Sequence, residues 1–87
     1  MGKIYIVYGR SSSYSDPDLC YTWIEGAFIS LEKAKNVFMS VFKQTREWLK
    51  IPEEDAEHPA FYGSHGSAYL NDGDVERWLE LVEVEVE

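Results

Sequence analysis

One cysteine, Cys20, is all the chain carries. No intramolecular disulfide can form, and a reducing cytosol is the expected setting. Long apolar runs are missing too: the N-terminal one, Ile4 to Tyr8, stops at Gly9. It is too short for a signal-peptide core or a membrane span. Basic residues are scarce, 8 against 16 acidic ones, for a net charge of −8. Seven of them lie in residues 1–50 beside five acids (+2), which leaves Arg77 alone among eleven acids in residues 51–87 (−10). Such a surface repels nucleic acid and anionic lipid, and it attracts a protein with a basic surface. The same carboxylates also serve to keep a small protein soluble.

Recognisable catalytic spacing is absent as well. No P-loop or GxGxxG occurs, and the interval between His58 and His65 matches neither helical pairing nor a zinc-ligand pattern. Neither a metal nor a cofactor is expected. Cys20 or the run Ser11 to Ser13 could be drawn beside His65 as nucleophile and base, but no orienting partner is identifiable. The expectation is a protein without catalytic activity.

What is present is one strong helical pattern. Leu31, Ala34, Val37, Phe38, Val41, Phe42, Trp48 and Leu49 form an amphipathic stripe interrupted only by Thr45. Ser30 is the expected N-cap, and Pro52 is expected to end the helix because proline disfavours helical backbone in Ile51. Lys3–Tyr8 reads as a central strand with both faces apolar, ended by Gly9, and Arg10–Leu19 as a polar loop. Tyr21–Ile29 reads as a second strand, with a bulge or close approach at Gly26. Residues 53–66 read as an acidic segment followed by an irregular excursion, and Ala68–Leu70 as a short strand turned by Asn71, Asp72 and Gly73. In the last strand, Arg77–Val86, Val82, Val84 and Val86 should face inward and Glu83, Glu85 and Glu87 water. Leu79 and Leu81 share the glutamate parity, which requires a bulge or a second apolar surface. Eighty-seven residues allow one domain. The expected fold is α+β: three to four antiparallel or mixed strands packed on one long amphipathic helix, in the order β-β-α-(β)-β.

Tyr5, Val7, Tyr8 and Gly9, then Gly26, Phe28, Ser30, Glu32 and Ala34, then the alternating terminal strand, resemble the small uncharacterised β-β-α-β domains of phage and bacterial genomes. In size and acidity the chain is also similar to anti-CRISPR and other anti-defence proteins. The −10 balance of residues 51–87, the aromatic rings in predicted loops and the missing catalytic signature lead to the expectation of an inhibitor or adaptor, of the anti-defence kind, binding a basic, nucleic-acid-handling host protein in the host cytosol.

Two sets of residues are candidates for contact. Tyr14, Phe61 and Tyr62 are aromatic rings in predicted loops, and tyrosine is enriched in interface hot spots. With the carboxylates Asp72, Asp74, Glu83, Glu85 and Glu87 they form the expected partner-binding set. The alternative is a nucleotide-like signal held by Arg10, Ser11, Ser12 and Ser13 together with Gly63, Ser64 and His65, since glycine and serine loops offer donors to an anion.

Overall fold

A computed structural model describes residues 2–86 of the chain. The elements run β1 (Gly2–Ser13), β2 (Tyr21–Phe28), α1 (Leu31–Trp48), β3 (Ala60–Tyr62), β4 (His65–Asn71) and β5 (Val75–Val86). They form one α+β unit, a five-stranded sheet in the order β2-β1-β5-β4-β3 whose neighbours are all antiparallel. The helix covers one face.

The helix begins as its sequence predicts, with Ser30 Oγ accepting a hydrogen bond from the Lys33 amide at 3.2 Å. It ends before Pro52. Lys50 takes a left-handed conformation (φ 58°), the Lys50 amide donates to the Glu47 carbonyl and the Ile51 amide to the Arg46 carbonyl, both at 3.1 Å. This paired closure reverses the chain at the helix end, in a place where glycine is the usual residue.

β1 is longer than its apolar pattern suggests, because Gly9 does not end it. The Trp23 ring of β2 lies over Gly9, where an added Cβ would sit 2.4 Å from Trp23 Cζ2. Arg10 to Ser13 continue the ladder, Ser13 pairing with Val75. The expected irregularity at Gly26 is present: Val7 pairs with Gly26 and Tyr8 with Ile24, which leaves Glu25 as an extra residue.

The excursion expected at residues 58–66 is instead a hairpin in which Tyr62 pairs with His65. Only Gly63 and Ser64 lie between them, and Gly63 has φ 64°. Glycine first in a two-residue loop is the arrangement whose twist suits a hairpin.

The core lies between α1 and the sheet, with Val7, Phe38, Leu79 and Leu81 fully buried at its centre. β5 pairs with β1 without interruption from Val75 to Val86. Its facing therefore corrects the expected one. Leu79 and Leu81 point at the helix, so Val82, Val84 and Val86, being of the other parity, point to the opposite face. Glu83 and Glu85 are on the helix side, where Glu83 pairs with Lys3 at 3.5 Å. The expected contact residue Glu87 lies outside the described residues.

Candidate functional site

Asp74 organises the end of the sheet where the β1–β2 loop meets the β4–β5 turn. Its carboxylate accepts from Ser15 Oγ at 2.6 Å, the Ser15 amide at 3.1 Å and Ser13 Oγ at 3.3 Å. Its backbone carbonyl accepts from the Tyr14 amide at 3.3 Å. The bond from the Ser15 hydroxyl, with those from the Ser15 amide, Ser13 and Tyr14, holds the Asp74 carboxyl below its ordinary value of 3.8, against a smaller opposing push from desolvation.

Neighbouring aspartates continue the arrangement. Ser13 Oγ accepts from the Asp16 amide at 3.1 Å, and Asp16 in turn caps a single helical turn at Pro17–Leu19 through the Asp18 amide. Asp72 Oδ1 accepts from the amides of Asp74 and Val75, an aspartate turn that sets the approach to β5. The bonded loop thereby displays Tyr14, 84 % exposed, among Asp16, Asp18, Asp72 and Asp74. Among the described residues no ion pair involves any of these four carboxylates. Chemically, the end offers one hydrogen-bonding ring and an uncompensated negative field to whatever approaches.

The fold thus unites Tyr14, Asp72 and Asp74 from the expected partner-binding set and disperses the rest. Phe61 lies on the helix side, edge-on to Phe38 with centroids 5.4 Å apart, over Gly66 and 37 % exposed. Tyr62 has the opposite facing and is 75 % exposed. Glu83 and Glu85 stand near the Gly2 end of β1, where Lys3 pairs with Glu85 and Tyr5 with Glu83.

The residues of the alternative anion pocket do not converge. Arg10 stacks on Trp78, its guanidinium carbon 4.3 Å from the ring centre. Ser11 is buried on the helix face, Ser12 lies on the other face with Arg10, and Ser13 is bound to Asp74. Gly63, Ser64 and His65 are at the far end of the sheet: Gly66 pairs with Leu81 while Ser13 pairs with Val75, about 20 Å apart along β5. His65 Nε2 meets Glu80 at 3.2 Å, and Ser67 Oγ donates to the same carboxylate at 3.3 Å. Cys20 Sγ contacts the Ser13 backbone, accepting from its amide at 3.4 Å.

Two features escaped the sequence pattern. Arg77 points into the seam between helix and sheet, within 4.4 Å of the Trp48 ring centre and 5.1 Å of that of Trp23, and donates to Tyr21 Oη at 2.7 Å. Its Nε and the Oγ of Ser11, its ladder partner, are both buried without a hydrogen bond. The second feature is a groove of about 570 Å³ between the outer side of α1 and residues 53–59, with Met39, Phe42 and Pro59 as apolar lining, Lys43 and Arg46 as its cations, His58 beside them, and Glu53, 4.0 Å from Arg46, and Glu57 as its carboxylates. Helical spacing hints at it, since Met39, Lys43 and Arg46 fall on one side of α1.

Among the described residues no group of three or more His, Cys, Asp or Glu is placed to hold a metal, and no helix is long and apolar enough to cross a membrane. The chain matches no family model, no curated protein and no solved structure.

Proposed function

We propose that the protein is a non-catalytic inhibitor or adaptor that docks a basic protein surface against the acidic end formed by the β1–β2 loop and the β4–β5 turn. The observation that carries this reading is the unpaired aspartate set around Tyr14. Carboxylates held by backbone amides and hydroxyls are pre-ordered before binding, so less conformational entropy is lost on association. An uncompensated field also steers a positively charged partner and raises its association rate. A protein that handles nucleic acid presents such a surface, because it must neutralise phosphates. With the resemblance to anti-defence proteins, the reading becomes an inhibitor occupying a host protein's nucleic-acid groove in the cytosol.

The test is capture from a host lysate at low salt. Wild-type protein should retain a basic partner that elutes as salt shortens the Debye length from about 10 Å at 0.1 M to about 3 Å at 1 M. Asp18→Asn/Asp72→Asn and Tyr14→Ala variants should lose it, whereas Glu83→Gln/Glu85→Gln should not. Retention unaltered by the aspartate and tyrosine changes would refute the assignment.

A second reading, a binder of a small nucleotide-like signal, rests on the groove where Lys43 and Arg46 stand beside Glu53 and Glu57 rather than on Arg10 and the serine loops. Calorimetry against nucleotides would decide for it if the heat were lost in Arg46→Ala.

A further inference from the structure

The sheet has a second apolar face. Because β1 and β5 alternate in register, the side chains turned away from α1 run Ile4, Ile6, Tyr8, Arg10 along β1 and Val84, Val82, Glu80, Trp78 along β5. α1, the one α-helix among the described residues, packs on the other face. Ile24 of β2 (72 % exposed) and Val84 (38 % exposed) remain open to water. An antiparallel sheet commonly leaves one face in water, but that face is then polar along its strands. Here the β1 and β5 columns are apolar from Ile4 to Ile6 and from Val82 to Val84, and the polar groups are Arg10 and Glu76 at one end and Glu80 with His65 and Ser67 beside it.

We infer that a second copy of this chain packs on this face, sheet against sheet, in an isologous dimer. The argument for a copy rather than another occupant is the pattern itself. A two-fold axis running along the strands above the β1–β5 seam places β1 of one copy over β5 of the other at the same level. Ile4 then meets Val84, Ile6 meets Val82, and Arg10 meets Trp78 between Glu76 and Glu80. The face is therefore complementary to itself, as an isologous contact requires, at its two apolar levels, with Tyr8 falling on Glu80 and Arg10, stacked on Trp78 of its own chain, reaching the level of Glu76. Two stacked sheets in aligned packing tolerate the twist between them.

Charge and area agree with this. The chain as a whole is −8, yet the half of the face from Tyr8 to the chain ends is uncharged along both columns apart from Glu80, which pairs with His65. Two like-charged molecules can approach there at low electrostatic cost. Five strands at about 4.8 Å give roughly 24 Å of width, and the 12-residue β1 and β5 about 40 Å of length. With the outer strands shorter, the face is on the order of 800 Å², which is what each partner contributes to a stable interface of standard size. The acidic end lies at the loop edge of the sheet, so a dimer would display two such ends; this inference does not rest on the proposed function.

Sedimentation of the purified chain over a range from low to high micromolar concentration provides the test. Twice the chain mass is expected at the upper end. Val84→Glu and, separately, Ile24→Glu should return the chain to monomer mass with unchanged far-UV circular dichroism, since neither side chain belongs to the core under α1. Arg10→Glu should weaken the dimer at least tenfold, placing an anion against Glu76 and Glu80. A chain monomeric at every concentration overturns the inference, and so does a dimer that survives both Val84→Glu and Ile24→Glu.

Discussion

Replacing Phe61 and Tyr62 by alanine, one at a time, separates two adjacent rings that the backbone sends to opposite faces. Phe61 is edge-on to the buried Phe38 and lies over Gly66, whose missing Cβ leaves the space its ring fills; an added Cβ there would stand 2.9 Å from Phe61 Cε1. A fully buried phenylalanine costs about 3 to 5 kcal/mol when cut to alanine. With 37 % of Phe61 still exposed, the expected loss is about 2 kcal/mol, which includes the edge-to-face contact of about 1 kcal/mol. Tyr62 is 75 % exposed, so Tyr62→Ala should stay within about 0.5 kcal/mol of wild type. Urea unfolding followed by tryptophan fluorescence gives both values. The corresponding drop in melting temperature is about 8 to 16 °C for Phe61→Ala, at about 4 to 8 °C per kcal/mol for a domain of this size. Equal losses for the two variants, or a larger loss for Tyr62→Ala, would refute this assignment of faces.

Three further outcomes follow from single positions. Lys50→Gly should stabilise the protein by about 0.5 to 1 kcal/mol in the same unfolding assay, because the left-handed conformation that closes α1 strains a residue with a Cβ. Gly9→Ala should destabilise it by about 1 to 3 kcal/mol and shift its tryptophan emission, since the added methyl displaces the Trp23 ring. The Asp74 carboxyl is held below its ordinary value in the folded chain, so its contribution is present above the unfolded value of 3.8 and is lost as pH falls through the lower folded value. The Ser15 amide should lose protection relative to its intrinsic exchange rate on that acidification, and in Asp74→Asn the step should vanish.

Much of the architecture is legible in the chain. The stripe from Leu31 to Leu49, with Ser30 before it, is local information, and both the cap and the buried face stand where it puts them. Strand extent is less local. Arg10 to Ser13 look like loop, and they belong to β1 because Val75 to Trp78, more than 60 residues later, supply the hydrogen-bonding partners. The alternation Val82, Val84, Val86 points to a buried face, but which face is set by the helix docking on Leu79 and Leu81, and period-two parity alone does not carry that choice. Gly63–Ser64 was a readable hairpin signal, masked by the single apolar pair Phe61–Tyr62 in front of it. The site was half legible. Tyr14 and the aspartates stand out as a ring and charges, but their union depends on Asp74 reaching Ser13 and Ser15, a contact no local pattern encodes. Arg77 stood out only as the lone cation of its half, and its cage of Tyr21, Trp23 and Trp48 comes from two separate elements, β2 and the end of α1.

Nuclear magnetic resonance of the labelled protein, with and without a partner captured at low salt, tests the proposed docking end most directly. Shifts concentrated at Tyr14 to Asp18 and Asp72 to Asp74, collapsing as salt is raised, are the predicted result. Shifts confined to the groove beside Lys43 and Arg46 or to the Ile4–Val84 face, with the Tyr14 loop unmoved, would contradict it.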